Sequence, residues 1–261
     1  MTNLPVLLKK EWLEARRSYK LLWLPVAFMF LGILQPLSSY YLPQILQMAG
    51  GFPEGMNISL PEFTPEEVLA STLTSQFDQL GLIILAIGMM GIIVSDKLNG
   101  MLTFILTRNT SLGEYVLSKW IGQSAIIGVA IVSGMFMALC YTSYLYSPVP
   151  LARVAAALVI YYVWCLFMLT LLLTLGALLS KSSAVAVISI VVLLVMKAVT
   201  AFGFGFQIFN PAHLTNHAAQ IITSGNALPH LLPTMAITCI LIVSFLYISK
   251  SYLSRKELPS M

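Results

Sequence analysis

The sequence predicts an all-α polytopic membrane protein. It has six transmembrane helices, an N-terminal interfacial helix, and a re-entrant helical pair between spans 5 and 6. Three observations lead there. Of the 261 residues 58% are hydrophobic and only 9% are charged, against about 25% charged in a soluble domain. The charges cluster, which leaves apolar runs of around 20 residues, enough to cross a hydrocarbon core of about 30 Å at about 1.5 Å per residue. The roughly ten-residue alternating segments of a barrel are missing.

The chain reads as one transmembrane domain over residues 1–261: an interfacial helix at 1–20, six spans within 21–249 and a cytoplasmic tail at 250–261. The expected spans are 21–42, 79–95, 118–146, 152–179, 183–206 and 231–249. The first run, Leu21–Leu42, is too long for the apolar core of a signal peptide, and no small-residue cleavage site follows it. Every Lys and Arg except Arg153 and Lys197 falls on one side of a six-span layout. The loop at 43–77 on the other side carries Glu54, Glu62, Glu66 and Glu67 and no Lys or Arg. By the positive-inside rule both termini are cytoplasmic. The net charge of +4 therefore reports orientation in a membrane and not nucleic-acid binding. Cys140, Cys165 and Cys239 all lie in apolar runs, as small packing residues would, and an odd count argues against a disulfide framework.

Three segments outside the spans have their own signals. In residues 4–20, Leu4, Leu8, Trp12, Ala15 and Tyr19 recur at helical spacing opposite Lys9, Arg16, Arg17 and Lys20. That pattern suits a helix in the inner interface with its cations toward anionic headgroups. Thr64, Pro65 and Glu67 spell a capping box with proline at the first helical position. Leu69, Leu73 and Phe77 then form one stripe, on a helix that runs either along the outer surface or straight into span 2. Between spans 5 and 6, Asn210 and Pro211 open a helix that should stop near Ser224–Gly225–Asn226, before a second short segment leading to Pro233. Residues 207–230 hold no Lys, Arg, Asp or Glu. So uncharged an outer loop is expected to dip into the membrane, where protein or a water-filled cavity covers its backbone.

Catalytic and cofactor signatures are missing. There is no HExxH, no nucleophile elbow and no GxxxxGK[ST] to cradle nucleotide phosphates. His213 and His217 sit at i, i+4, but no acidic or Cys partner is near, and zinc takes three or four protein ligands. The lone GxG of Phe202–Phe206 follows no strand and reads as interface anchoring and close packing. Gly81, Gly88, Gly91, Gly122 and Gly128 are likewise packing positions within spans 2 and 3. Lys197 is a cation well inside a span, away from its ends, and so a candidate for the transport pathway. It lies in the outer half of span 5, where its stem could instead snorkel outward.

The most informative stretch is "SDKLNGMLTFILTRNTSLGE", residues 95–114. Ser111 and Glu114 form a second capping box that opens the helix of span 3. Before it, Met101, Leu102, Phe104, Ile105 and Leu106 make an oily cluster in a loop that should face water. Such a patch needs a cover, either headgroups or another protein. Here the chain resembles the ABC-2 type permeases, six-span membrane subunits of bacterial ABC exporters. Their loop after span 2 has an acidic residue, Gly-Thr-Leu four positions on, Leu-Leu, Thr or Ser, Pro, and a Lys entering span 3. Asp96, Gly100, Leu102, Ile105–Leu106, Thr107 and Lys119 stand in matching places, with Met101 for the Thr, Asn109 near the Pro and Asp for the usual Glu. The basic entry segment "LLKKEWLEARRS" and the layout of the outer loop and of 207–230 also match.

The resemblance implies a division of labour. This chain would form half of a substrate pathway in the bacterial plasma membrane and pair with a second permease, identical or related, among membrane lipids. It would hold no cofactor and catalyse nothing itself, ATP and Mg being bound by a separate cytoplasmic ATPase subunit. The loop would carry a coupling helix docked in a groove of that ATPase. Met101, Leu102, Phe104, Ile105 and Leu106 would be its anchor, Gly100 its start, and Asp96, Lys97 and Arg108 its charged rim. The rivals are a secondary transporter, which favours carboxylates in the spans and an internal repeat, a membrane enzyme, and a non-transporting sensory or immunity subunit. The cargo is not encoded legibly.

Overall fold

The computed structural model describes residues 3–48, 63–107, 111–201 and 205–256. Among them there is no strand, and six helices are long and apolar enough to cross a membrane: Lys20–Ile45, Pro65–Leu98, Leu112–Leu145, Leu151–Leu178, Ser182–Thr200 and Leu231–Arg255. These are spans 1 to 6 below. A separate N-terminal helix, Leu4–Arg17, precedes span 1. The chain breaks between them at Tyr19, whose φ of 55° is left-handed, a geometry that ends a helix.

Both capping boxes form. Thr64 Oγ1 accepts the Glu67 N–H while Glu67 accepts the Thr64 N–H. Ser111 and Glu114 do the same at the head of span 3. The helix after Thr64 runs straight into span 2 and does not lie on the surface. Its first part is α-helical (Pro65–Ser71) and its second is a π-helix (Thr72–Gly81). The stripe expected there is the buried one: Leu69, Leu73 and Phe77 are all fully covered. Span 2 thus begins well before residue 79. The polar run at 71–79, which looks too wet for a membrane segment, is satisfied within the bundle. Gln35 of span 1 accepts hydrogen bonds from Ser75 (3.1 Å) and Gln76 (3.0 Å).

Glycine lets spans 1 and 3 touch backbone to backbone. A Cβ on Gly32 would stand 2.1 Å from the Gly134 carbonyl oxygen, and one on Gly134 would stand 2.7 Å from the Phe28 carbonyl oxygen. Small residues permit such close helix contact in membranes. Of the glycines expected to pack, Gly81 faces Phe28, Gly88 faces Trp23 and Gly122 faces Glu11, each at 3.0 Å for a built Cβ. Gly128 meets Tyr162 at ordinary contact distance, and Gly91 faces Ser95 of its own helix. Phe28 also meets Phe77 edge-on at 5.1 Å.

Span 4 has the largest share of its residues buried of the six. Trp120 donates to Thr170 at 2.9 Å, Tyr162 to the Ser124 carbonyl at 2.9 Å, and Ser249 to Thr174 at 3.2 Å. These bonds tie it to spans 3 and 6. Cys140, Cys165 and Cys239 are free thiols.

Between spans 5 and 6 the order of the expected helical pair is reversed. A short 3-10 turn, Gly205–Phe209, comes first, and the longer helix His213–Ser224 follows. Asn210 does not cap that helix: its side chain accepts the Ala212 N–H at 3.0 Å in the turn before it, and the cap position is Ala212, with no side-chain cap bond. Gly225, at φ 77°, ends it as expected. Beyond it the chain turns and enters span 6 at Leu231 with no second short helix. His213–Ser224 buries His213, Leu214, Thr215, His217, Ala218, Ile221 and Ile222.

Candidate functional site

Two polar clusters and one loop helix hold the residues that sequence marks out. The first cluster stitches the N-terminal helix, the end of span 2 and the start of span 3. Lys119 Nζ lies 3.0 Å from Glu11 Oε1, 2.9 Å from Asp96 Oδ2 and 3.7 Å from Glu14 Oε2. Lys10 reaches the same three carboxylates at 3.2–3.4 Å, and Tyr115 donates to Asp96 at 2.8 Å. Glu11, Asp96 and Lys119 are buried. Burial alone disfavours the Lys10 ammonium, but Glu11, Asp96 and Glu14 outweigh it and hold its pKa above the ordinary value of 10.5.

This geometry adds to one expectation and changes another. The N-terminal helix was expected in the inner interface with Leu4, Leu8, Trp12, Ala15 and Tyr19 on one stripe. Its buried stripe is Leu7, Glu11 and Ala15, with Trp12 and Tyr19 exposed. A glutamate can sit on the packed face because Lys119 of span 3 meets it there. Asp96 and Lys97, expected on the rim of a docking helix, point into their own chain. Lys97 donates to the carbonyl oxygens of Gly176 (3.0 Å), Ala177 and Leu179 (3.5 Å). It thereby satisfies orphan carbonyls at the end of span 4, where the helix dipole also favours a cation.

The loop helix exists as Met101–Thr107. Gly100, at φ 66° with open space around it, makes the left-handed step from span 2 into this helix, which a side chain would strain. The oily cluster divides. Leu102 and Ile105 are buried in the core, whereas Met101 (39% exposed) and Phe104 (53%) face outward. Of these four, only the latter two are exposed. A groove beside them is lined by Val6, Leu7 and Lys10 of the N-terminal helix with Met101, Phe104 and Ile105. Leu106 belongs to the helix, but its side chain and all of Arg108 lie outside the described residues.

The second cluster lies between spans 2, 4 and 5. Lys197 pairs with Asp78 Oδ2, and Trp164 Nε1 donates to Asp78 Oδ1 at 2.8 Å. Lys197 is therefore held inward, not snorkelled out. The sequence signal was present in Asp78, but at the edge of an expected span it did not look like an intramembrane partner. His213 Nδ1 stands 3.1 Å from His217 Nε2. Among the described residues no group of three or more His, Cys, Asp or Glu could hold a metal ion.

Six apolar spans, a short loop helix after span 2 and an acid–lysine cluster at the base of spans 2 and 3 fit a membrane permease component of an ABC transporter. The chain belongs to the ABC-2 family transporter proteins, whose family model matches residues 6–258. It is similar to a transmembrane protein of Bacillus subtilis strain 168, YxlG, at 34% identity over 226 residues, covering 86% of this chain and 87% of that one. Permeases of this family are non-catalytic membrane subunits that typically work with a cytoplasmic ATPase.

Proposed function

We propose that this chain is the pathway-forming subunit of an ATP-driven exporter, assembled as a homo- or heterodimer and driven by a separate ATPase docked on the loop helix Met101–Thr107. Both termini and that loop face the cytoplasm, as the distribution of Lys and Arg supports. The observation that carries the reading is the outward pair Met101 and Phe104 beside the apolar groove with Val6 and Leu7, at the end of the molecule that holds the basic residues. Leu102 and Ile105 fix the helix to its own chain, so a push on the exposed face is passed to spans 2 and 3. ATP and Mg belong to the partner, and this chain contributes no catalytic group. Spans 5 and 6 are only 22% and 17% buried, which leaves apolar surface for lipid and for a second copy.

The test is reconstitution with the cognate P-loop ATPase. The wild-type pair should stimulate ATP hydrolysis and move substrate into inverted proteoliposomes. Phe104→Ala should weaken ATPase capture roughly three- to tenfold, since full burial of a large apolar side chain contributes roughly 1.5–3 kcal/mol, about half of Phe104 is left to cover, and 1.4 kcal/mol is tenfold. Full capture and coupling by that variant would place the face in headgroups. ATPase binding without flux would favour a sensory or immunity subunit.

A further inference from the structure

Lys97 turns away from the docking face and grips another helix. It belongs to the last helical segment of span 2, Val94–Leu98, and stands shortly before Met101, where the loop helix begins. Its ammonium donates to the carbonyl oxygens of Gly176, Ala177 and Leu179. Leu178 ends span 4 and Ser182 begins span 5, so these oxygens lie at the short turn that joins the two. Water can satisfy the last carbonyls of a helix. Here a side chain from a different span takes them with a charge, and charge-assisted hydrogen bonds are the strong ones. The backbones are close as well. A Cβ built on Gly176 would stand 3.5 Å from Ile93 Cβ, and one on Gly91 would stand 3.9 Å from Ser182 Oγ. The foot of span 2 is thus fitted against the turn between spans 4 and 5. Span 5 itself is covered over only 22% of its residues, so a grip on the turn at its start weighs heavily in where it stands.

We infer that Lys97 is the positioning residue that passes a displacement of the loop helix to span 5, through the turn after span 4. This rests on the permease reading and names the route of its stroke. Leu102 and Ile105 seat the loop helix in its own chain, so a push on Met101 and Phe104 also moves the foot of span 2. Only the turn at Asn99 and Gly100 separates that foot from the helix being pushed. Lys97 moves with the foot, and the carbonyls it holds are drawn along. Without the ammonium, span 2 can slide while the turn after span 4 stays where it is.

The test uses the full chain in nanodiscs, without the three native thiols, and spin labels at exposed positions. A pair at Leu98 and Ser183 reads the tie, and a pair at Leu117 and Ser183 reads the movement of span 5 against span 3. Alone in the disc, the protein with Lys97 should give one narrow 98–183 distance. Lys97→Met should broaden it, the untied population rising about tenfold or more for the loss of charge-assisted hydrogen bonds. Lys97→Arg should restore the narrow distance. Lys97→Gln takes the place of the Met variant if that one does not insert. Trypsin protection of the N-terminal helix, which Asp96 and Lys119 hold and Lys97 does not, shows that each variant is folded. With the cognate ATPase and a non-hydrolysable ATP analogue, the 117–183 distance should shift in the wild type and in Lys97→Arg. It should stay put in Lys97→Met, while all three capture the ATPase equally. A cap with a purely structural role would leave that shift intact. A 98–183 distance as narrow in Lys97→Met as in the wild type overturns the inference. So does an equal shift in both, the absence of a shift in a wild type that captures the ATPase, or loss of capture in Lys97→Met alone. Failure of the wild type to capture the ATPase strikes the permease reading alone, since the 98–183 comparison needs no ATPase.

Discussion

Removing the Lys119 ammonium should undo the N-terminal helix from the bundle. In Lys119→Met the stem is replaced by an apolar chain of similar length, but Glu11 and Asp96 lose their ion pairs at 3.0 and 2.9 Å. Both carboxylates are nearly or wholly buried, at 2% and 8% side-chain exposure. Breaking a buried pair by removing one partner costs about 3–5 kcal/mol. Lys10 still reaches both carboxylates, which argues for the lower end. About 3 kcal/mol corresponds to roughly a hundredfold shift toward the undocked or unfolded state. The assay is unfolding in mixed micelles with increasing dodecyl sulfate, alongside trypsin cleavage after Lys9, Arg16 and Arg17. The variant should unfold earlier and lose its N-terminal segment faster. Combining Lys119→Met with Glu11→Gln and Asp96→Asn removes the stranded charges and should recover most of the loss. Wild-type stability and protection in the single variant would refute the view that this cluster holds the helix.

Gly32→Ala places a methyl 2.1 Å from a backbone oxygen that has no flexible end to move. It should cost roughly 1–3 kcal/mol or more, read as a lowered midpoint in the same titration. Because the folded-state pKa of Lys10 is raised above 10.5, its contribution is complete below that pH and fades only as pH rises through the higher folded value. Docking of the N-terminal helix, followed by Trp12 fluorescence, should therefore be level through neutral pH and decline only in strong alkali. Single cysteines at Ser59 and Ser111, in a background lacking the three native thiols, should react differently with an impermeant reagent on intact cells. Labelling at 59 only is expected, and equal labelling would overturn the proposed orientation.

Local signals were legible in the sequence and long-range partners were not. Capping at Thr64–Glu67 and Ser111–Glu114 involves residues three apart, and both boxes formed as read. Gly100 was visible as a motif position, and its left-handed φ supplies the reason. The start of span 2 was read too late because hydropathy cannot tell a polar segment satisfied by Gln35 from one that needs water. Nothing local marked Glu11 as a packed residue, since its counter-ion Lys119 arrives from span 3. Lys197 looked free to snorkel because nothing near it in sequence is acidic. The oily loop cluster read as one unit, whereas a short helix can bury only one of its faces in its own chain, and Leu102 and Ile105 took that face.

The contact at Gly32 and Gly134 also decides where the molecule can bend. Two helices whose backbones already touch cannot slide past each other without a collision of main-chain atoms. Spans 1 and 3, with the N-terminal helix clasped to the second of them, therefore move as one stiff strut. Span 5 shows the opposite character, with little surface covered and a polar clasp to span 2 near its far end. Any stroke that begins at the loop helix must be spent in the softer half. The hinge of this protein is thus to be sought where span 5 meets span 2, and labels for distance measurements belong on span 5 with the strut as the fixed reference.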